Sequence, residues 1–241
     1  MSAAERRTAA RTAVVWDDLR EVLAGADSVL DIGGGTGGFA VPVAERGLHV
    51  TVVDPSPDAL AALARRADES GVADRVVGRQ GDLTDLCDIV EAGSVDLVLC
   101  HGVLDVLADP DDALRRIHAV LRPGGALSLV VAQRHAAVLA RAMAGNFAQA
   151  LALLDGAEEP DPGRGGVRRR FTAAEVVELL TAAGFTPGDP HAVRVFADVV
   201  PGAVLDTEVG ATEALIELEA AVSRRPEFLP LATQVHVLAR R

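Results

Sequence analysis

The 241-residue chain has no lysine and no tyrosine, one tryptophan, two cysteines and two methionines. Its 23 basic residues are therefore all arginines, set against 35 acidic ones for a formal charge of −12. Spread evenly, that charge repels polyanions, so nucleic-acid binding requires a local basic patch. The missing lysine and tyrosine match the coding bias of a GC-rich genome rather than a functional choice. Cys87 and Cys100 fall in or near segments expected to be buried. They form no metal-ligand spacing, so no metal is expected, and they point to a reducing compartment. No apolar run approaches the roughly 18 residues of a membrane span, and the charged start "MSAAERRTAARTAVVWDDLREVL" has helical character rather than that of a signal peptide. A cytoplasmic protein without a membrane partner is expected.

What is present is enough apolar residue, 49%, to fill the core of one α/β domain. After residue 27, short apolar runs alternate with helical periodicity, predicting a parallel sheet flanked by helices. Strands are expected at Ser28 to Ile32, in "LHVTVVD" ending at Asp54, in "DRVVGRQGD", in "VDLVLCHGVL" and in "ALSLVVA", with "RPGG" as a tight turn before the last. Helices are expected from Phe39 to Arg46, from Asp58 to Ser70 and through "DPDDALRRIHAVL", where Ala113, Leu114, Ile117, Val120 and Leu121 share one face. Residues 135–155 predict an Ala-rich helical insertion, and "GAEEPDPGRGGVRRR" a loop. Thr172 with Glu175 forms a capping box for a further helix ended by Gly184. "HAVRVFADVV" and "LATQVHVLARR" are candidate antiparallel strands six and seven, separated by a helix from Glu208 to Arg224. The predicted fold is a doubly wound, seven-stranded, mostly parallel sheet in a single domain. Its parts are an N-terminal helix at 1–26, a cofactor-binding core at 27–134, an insertion and loop at 135–171, and a C-terminal part at 172–241.

The stretch "VLDIGGGTGGFA" carries Gly33, Gly35 and Gly38 in G-x-G-x-x-G spacing after the first strand. Nicotinamide and S-adenosyl-L-methionine sites both use such glycines, with an acid after strand two, here Asp54, for ribose hydroxyls. Asp31 discriminates, because a carboxylate before the glycines repels a pyrophosphate and attracts a sulfonium or an ammonium. Asp82, after strand three, offers a polar group where an adenine amino group could lie.

"VLDIGGGTG", Asp54 in "VTVVD", "GDLTDL" and "VDLVLCHGVLDVLADPDDALRRIHAVLRPGGALSLV" resemble, in order, the motifs of class I S-adenosyl-L-methionine-dependent methyltransferases. "RTAVVWDDL", "HGVLDVLADP", "MAGNF", "VRVFAD" and "ALIELEAAVSRRPEFLPLATQVHV" are similar to the bacterial tRNA 5-carboxymethoxyuridine methyltransferases, which esterify a modified wobble uridine. This resemblance implies that Arg11 reaches the methionine carboxylate, that Gly33 and Gly34 line the methionine moiety, with Gly35 beside them as a further cofactor-binding glycine, and that Asp54 holds the ribose. It further implies that Leu83 and Thr84 frame the adenine and that His101 lies over the donor's reactive end. The chain departs from the family in its shorter N-terminal segment. It also has Arg164, Arg168, Arg169 and Arg170 where the family has a lysine-rich loop, and "ADVV" where aromatics follow "VRVF".

Methyl transfer to a carboxylate needs alignment more than a base, since that acceptor is already ionised. Arg194 in "VRVFAD" is the candidate to orient it, and His101 is either a cofactor contact or a base. The arginine run 168–170, with Arg164, is the candidate tRNA contact, with Phe147 and Phe171 the nearby aromatics. The alternatives are O- or N-methylation of a small metabolite, and a non-catalytic S-adenosyl-L-methionine-binding domain that binds the nucleoside as a sensor. Asp105 and Asp109 read as an acidic rim or helix caps, and Trp16 as a packing anchor.

Overall fold

A computed structural model describes residues 2–161 and 166–241. Helix α1 (Ala3–Ala24) leads to β1 (Ser28–Ile32), α2 (Ala40–Ala44), β2 (His49–Asp54), α3 (Pro57–Glu69), β3 (Val76–Gln80), α4 (Leu86–Ile89), β4 (Val95–His101), α5 (Pro110–Val120) and β5 (Leu121–Ala132). Then come α6 (Arg134–Met143), α7 (Phe147–Leu154), β6 (Glu159–Asp161), β7 (Gly166–Arg168), α8 (Ala173–Ala182), β8 (Thr186–Pro187), β9 (His191–Val193), α9 (Gly202–Thr207), α10 (Ala211–Ser223) and β10 (Gln234–Arg240). The main sheet follows the order β3-β2-β1-β4-β5-β10-β8, with β9 also paired to β10. Pairing is parallel between β1 and β2, β1 and β4, and β2 and β3, and antiparallel where β10 meets β8 and β9. The α/β sheet expected from the alternating pattern is thus present.

The chain forms two compact units. One comprises Arg20–Leu129, Glu178–Gly188 and Leu238–Arg241. Its central strands β1 and β4 are largely apolar and buried on both faces, with Leu97, Val98, Leu99 and Cys100 of β4 wholly buried, whereas the edge strand β3 is mostly exposed. Helix ends follow side-chain chemistry. Ser56 accepts from the Ala59 N–H ahead of Pro57, and Asp109 accepts from the Asp112 N–H ahead of Pro110, which settles Asp109 as a cap. Asp96 ties the start of β1 to β4, accepting from the backbone N–H groups of Asp27 and Ser28 at 2.7 and 2.8 Å while pairing with Arg122 at 2.7 Å.

The other unit comprises Met1–Leu19, Val130–Val177 and Asp189–Val237. Here β9 and β10 set His191 directly opposite His236, and Asp18 of α1 receives both rings, at 2.5 and 2.8 Å from their Nδ1 atoms. Burial alone would raise the Asp18 carboxyl, but these hydrogen bonds outweigh it and hold the group far below its ordinary range.

Five expectations need correction. "RPGG" is no free-standing turn: β5 begins at Leu121, and this segment pairs with the C-terminal residue, the Gly124 N–H donating to Arg241 and the Arg241 N–H to Gly125. The loop "GAEEPDPGRGGVRRR" contains the hairpin of β6 and β7, in which Glu159 lies opposite Arg168. The helix expected from Phe39 to Arg46 is the shorter α2, Ala40–Ala44, preceded by Gly33, Gly35 and Gly37 in left-handed conformations. The helix expected from Glu208 to Arg224 is α10, which starts only at Ala211 after Gly210 with φ +81°, and the separate short α9 precedes it. Finally, Cys87 is exposed rather than buried.

Candidate functional site

β1 delivers Asp31 and the glycine loop from the middle of the sheet. Gly34 has no room for a Cβ, which would strike the Asp31 carboxylate. Gly37, not Gly38, is the third sterically required glycine: a Cβ there would collide with Leu63, whereas one at Gly38 meets nothing. Asp31 is 3% exposed, and burial, then the neighbouring Asp54 carboxylate, push its carboxyl up to about 7 against a hydrogen bond from the Ala40 backbone. Its Oδ2 is buried with no hydrogen-bond partner among the described residues. Asp54, at the end of β2, accepts the Gly35 N–H on Oδ2 and the Ser56 N–H on Oδ1, each at 2.9 Å. Its two oxygens are thereby fixed, one to the glycine loop and the other to the turn that follows β2.

His101 ends β4. Its Nε2 lies 2.8 Å from the Ser128 hydroxyl of β5, and its ring meets Phe39 edge-on with centroids 4.6 Å apart. The imidazole is consequently locked in orientation. Ser128 and Phe39 were not singled out in the sequence, although a serine in the otherwise apolar "ALSLVV" is a visible anomaly. Asp105, expected on a rim or at a cap, is buried. Asp82 closes a local turn in which Oδ1 accepts from the Thr84 N–H at 2.7 Å and the Thr84 hydroxyl at 2.5 Å, and these bonds hold the Asp82 carboxyl low. Leu83 is buried and Thr84 exposed on the same turn.

In the other unit, Arg11 of α1 is 46% exposed and pairs through Nε with Asp198 at 2.9 Å. Arg194, expected within a strand, is instead the first residue beyond β9 and has φ +61°. The cause is Glu219 of α10, whose carboxylate captures the N–H groups of Val195, Phe196 and Ala197, so that no strand ladder can use them. Arg194 Nε donates to the Arg11 carbonyl at 3.3 Å. Burial pushes its guanidinium down while Asp198 and Glu219 support it.

The arginine run lies beside acids. Arg169 pairs with Glu158, Arg170 with Glu159 at 2.8 Å, and Arg141 also reaches Glu159. Arg141, Leu153, Glu159, Arg168 and Arg170 line a cleft of about 540 Å³ at α6, α7 and the hairpin. Arg164 lies outside the described residues. Of the two aromatics considered for stacking, Phe171 is buried and Phe147 is 72% exposed.

The glycine loop suits S-adenosyl-L-methionine. An orphaned buried carboxylate oxygen is costly without a cation, and only a residue without a side chain fits beside it at position 34. Residues 30–127 match the family described as "Methyltransferase domain". Across 239 residues the chain is 34% identical to the tRNA 5-carboxymethoxyuridine methyltransferase of Escherichia coli strain K12, covering 96% of this chain and 88% of that one. The S-adenosylmethionine-dependent methyltransferase of Mesorhizobium loti has the same fold, with a TM-score of 0.62, 20% identity and coverage of 95% and 98%. So does the 1,6-didemethyltoxoflavin-N1-methyltransferase of Burkholderia thailandensis, solved with S-adenosylhomocysteine, at 0.56, 24%, 94% and 80%. Fold and loop together define a class I methyltransferase with S-adenosyl-L-methionine as its cofactor. Within that class, the chain belongs to the tRNA 5-carboxymethoxyuridine methyltransferase family.

Proposed function

We propose that this enzyme methylates the carboxylate of a 5-carboxymethoxyuridine at the wobble position of tRNA. The observation that carries this reading is the reach of the similarity to the E. coli enzyme. It extends over 96% of the chain, well beyond residues 30–127, and so includes the C-terminal segments that the general methyltransferase domain does not.

The bound donor supplies a methyl carbon made electrophilic by the sulfonium. The chain's task is to bind, orient and neutralise. Asp31 provides the counter-charge, Gly33, Gly34 and Gly35 accommodate the methionine moiety, and Arg11 takes its carboxylate. Asp54, already held by two backbone N–H groups, accepts the ribose hydroxyls. Asp82, Leu83 and Thr84 frame the adenine. His101, with Nε2 engaged by Ser128, serves as an oriented wall rather than a base. A carboxylate acceptor is ionised at neutral pH and needs none, only a cation to aim it, which is the role assigned to Arg194. Mass spectrometry of wobble nucleosides from a strain lacking the gene tests the reading. Loss of the methyl ester with accumulation of the free acid is expected, and an unchanged nucleoside profile would refute it.

A small-molecule carboxylate is the second reading. It is favoured by the pairing of Arg169 and Arg170 with Glu158 and Glu159, which weakens the one basic run in a chain of charge −12. Changing Arg168, Arg169 and Arg170 together to Ser separates the two. A raised KM and a flatter salt dependence on tRNA support phosphate contact, whereas unchanged kinetics remove the run from the site.

A further inference from the structure

Glu219 is the least expected charged group in the protein. It lies on α10 with no exposed surface, and its carboxylate accepts from the Val195 N–H at 3.0 Å and from those of Phe196 and Ala197 at 2.8 Å each. A buried carboxylate is rarely the most stable filling for a core position, because its desolvation has to be recovered from the bonds it makes. Here the three bonds all go to consecutive residues of one segment. That segment begins at Arg194, the single non-glycine residue with positive φ among the described residues, a conformation that persists only where its surroundings over-determine it. It ends at Asp198, whose Oδ1 holds Arg11 at 2.9 Å and whose Oδ2 accepts the Thr233 hydroxyl at 2.8 Å. Without the Glu219 carboxylate, the buried amides of Val195 and Ala197 and the partly buried amide of Phe196 would lose their acceptor. Residues after β9 would then be free to continue as extended chain, in which Arg194 leaves the left-handed region and its side chain swings to a new direction.

We infer that Glu219 is a positioning residue for the acceptor: its carboxylate fixes the turn that follows β9 so that the Arg194 guanidinium is held ready for a substrate carboxylate. This rests on the assignment of Arg194 to the acceptor made above. Glu219 touches neither substrate nor donor. Its effect passes through the backbone of its three partners, so it acts on acceptor binding and alignment rather than on donor binding.

The test compares Glu219→Gln, Glu219→Asp and Arg194→Lys on intact tRNA carrying 5-carboxymethoxyuridine, with S-adenosylhomocysteine affinity and thermal unfolding measured alongside. Gln keeps the volume but offers one acceptor oxygen and an N–H₂ group that opposes the backbone donors. Asp keeps the charge but withdraws it by one methylene. Both should raise the acceptor KM and lower kcat/KM by roughly tenfold to a hundredfold, the scale of a small misplacement at a reacting centre, with product affinity within about twofold of the parent. If the Gln variant does not fold, the Asp variant decides. A normal acceptor KM in a folded Glu219 variant, while Arg194→Lys raises it, overturns the inference and leaves the acceptor reading intact. A normal KM in Arg194→Lys overturns the acceptor reading, and the inference with it. Should neither Glu219 variant fold, amide exchange of Val195, Phe196 and Ala197 in the parent protein decides instead. Protection supports the turn, and exchange at free-peptide rates overturns it.

Discussion

Replacing Asp31 with Asn tests whether this buried carboxyl is the counter-charge for the donor, as proposed above. The parent carboxyl is buried beside Asp54 and held at about 7 instead of the ordinary 3.8, which amounts to roughly 4 kcal/mol against ionisation. A cation about 4 Å away at an effective dielectric near 20 contributes about 4 kcal/mol in the opposite direction. The two nearly balance, so a cationic ligand should ionise Asp31 as it binds and release its proton. Affinity for S-adenosyl-L-methionine should then rise about tenfold per pH unit up to pH ~7 and level off above it. Calorimetry in two buffers of different ionisation enthalpy reads the released proton directly. Asp31→Asn should abolish both the release and the slope. S-adenosylhomocysteine, which shares the ammonium but lacks the sulfonium, tells which cation is the partner: a smaller slope for it assigns Asp31 to the sulfonium, an equal slope to the ammonium. Because the folded-state value is raised, the group's contribution to ligand-free stability is complete below its ordinary range and lost as pH rises through about 7. A flat affinity profile in the parent, or the same slope in the Asn variant, would show that Asp31 does not ionise on binding the donor.

Asp54→Ala should weaken donor and product alike by about 1.5 to 3 kcal/mol, the contribution of charge-assisted hydrogen bonds, with the fold retained; equal calorimetric affinities before and after would sink the ribose assignment. Arg194→Lys should impair acceptor turnover almost as much as Arg194→Ala, since one ammonium cannot reproduce a bidentate fork, while donor binding survives both; steady-state kinetics on tRNA check this. Asp18→Asn should destabilise the protein by about 1.5 to 3 kcal/mol in denaturant titrations at neutral pH, because hydrogen bonds from His191 and His236 to a charged acceptor are lost. Since the Asp18 carboxyl is depressed, that stability is present above its ordinary range and lost in acid, so the gap between parent and variant should narrow below about pH 4.

Local chemistry made much of the fold legible. Ser56 before Pro57, Asp109 before Pro110, and Thr172 with Glu175 place helix starts within a residue or two, because each cap answers donors of its own first turn. The glycine loop was legible in part for the same reason: Gly33 and Gly35 take the left-handed conformation that their spacing after β1 calls for, and Asp54 at the end of β2 accepts the Gly35 N–H. What stayed hidden depends on groups distant in sequence. "RVFAD" has strand propensity, and only the Glu219 carboxylate from α10 turns it aside. "RPGG" has turn propensity, yet pairing with Arg241 keeps it in the sheet. The requirement for Gly37 over Gly38 is set by Leu63 of α3, which no loop motif encodes. The arginine run was visible, but the acids that accompany it, Glu158 and Glu159, became its partners only through the hairpin.

The most direct measurement is transfer of label from methyl-labelled S-adenosyl-L-methionine to purified tRNA carrying 5-carboxymethoxyuridine, with nucleosides resolved by mass spectrometry. The account predicts label in the methyl ester of that one nucleoside, removable by mild base and absent with Arg194→Ala. Label that stays off the tRNA, while the same protein methylates a small carboxylic acid, would contradict it.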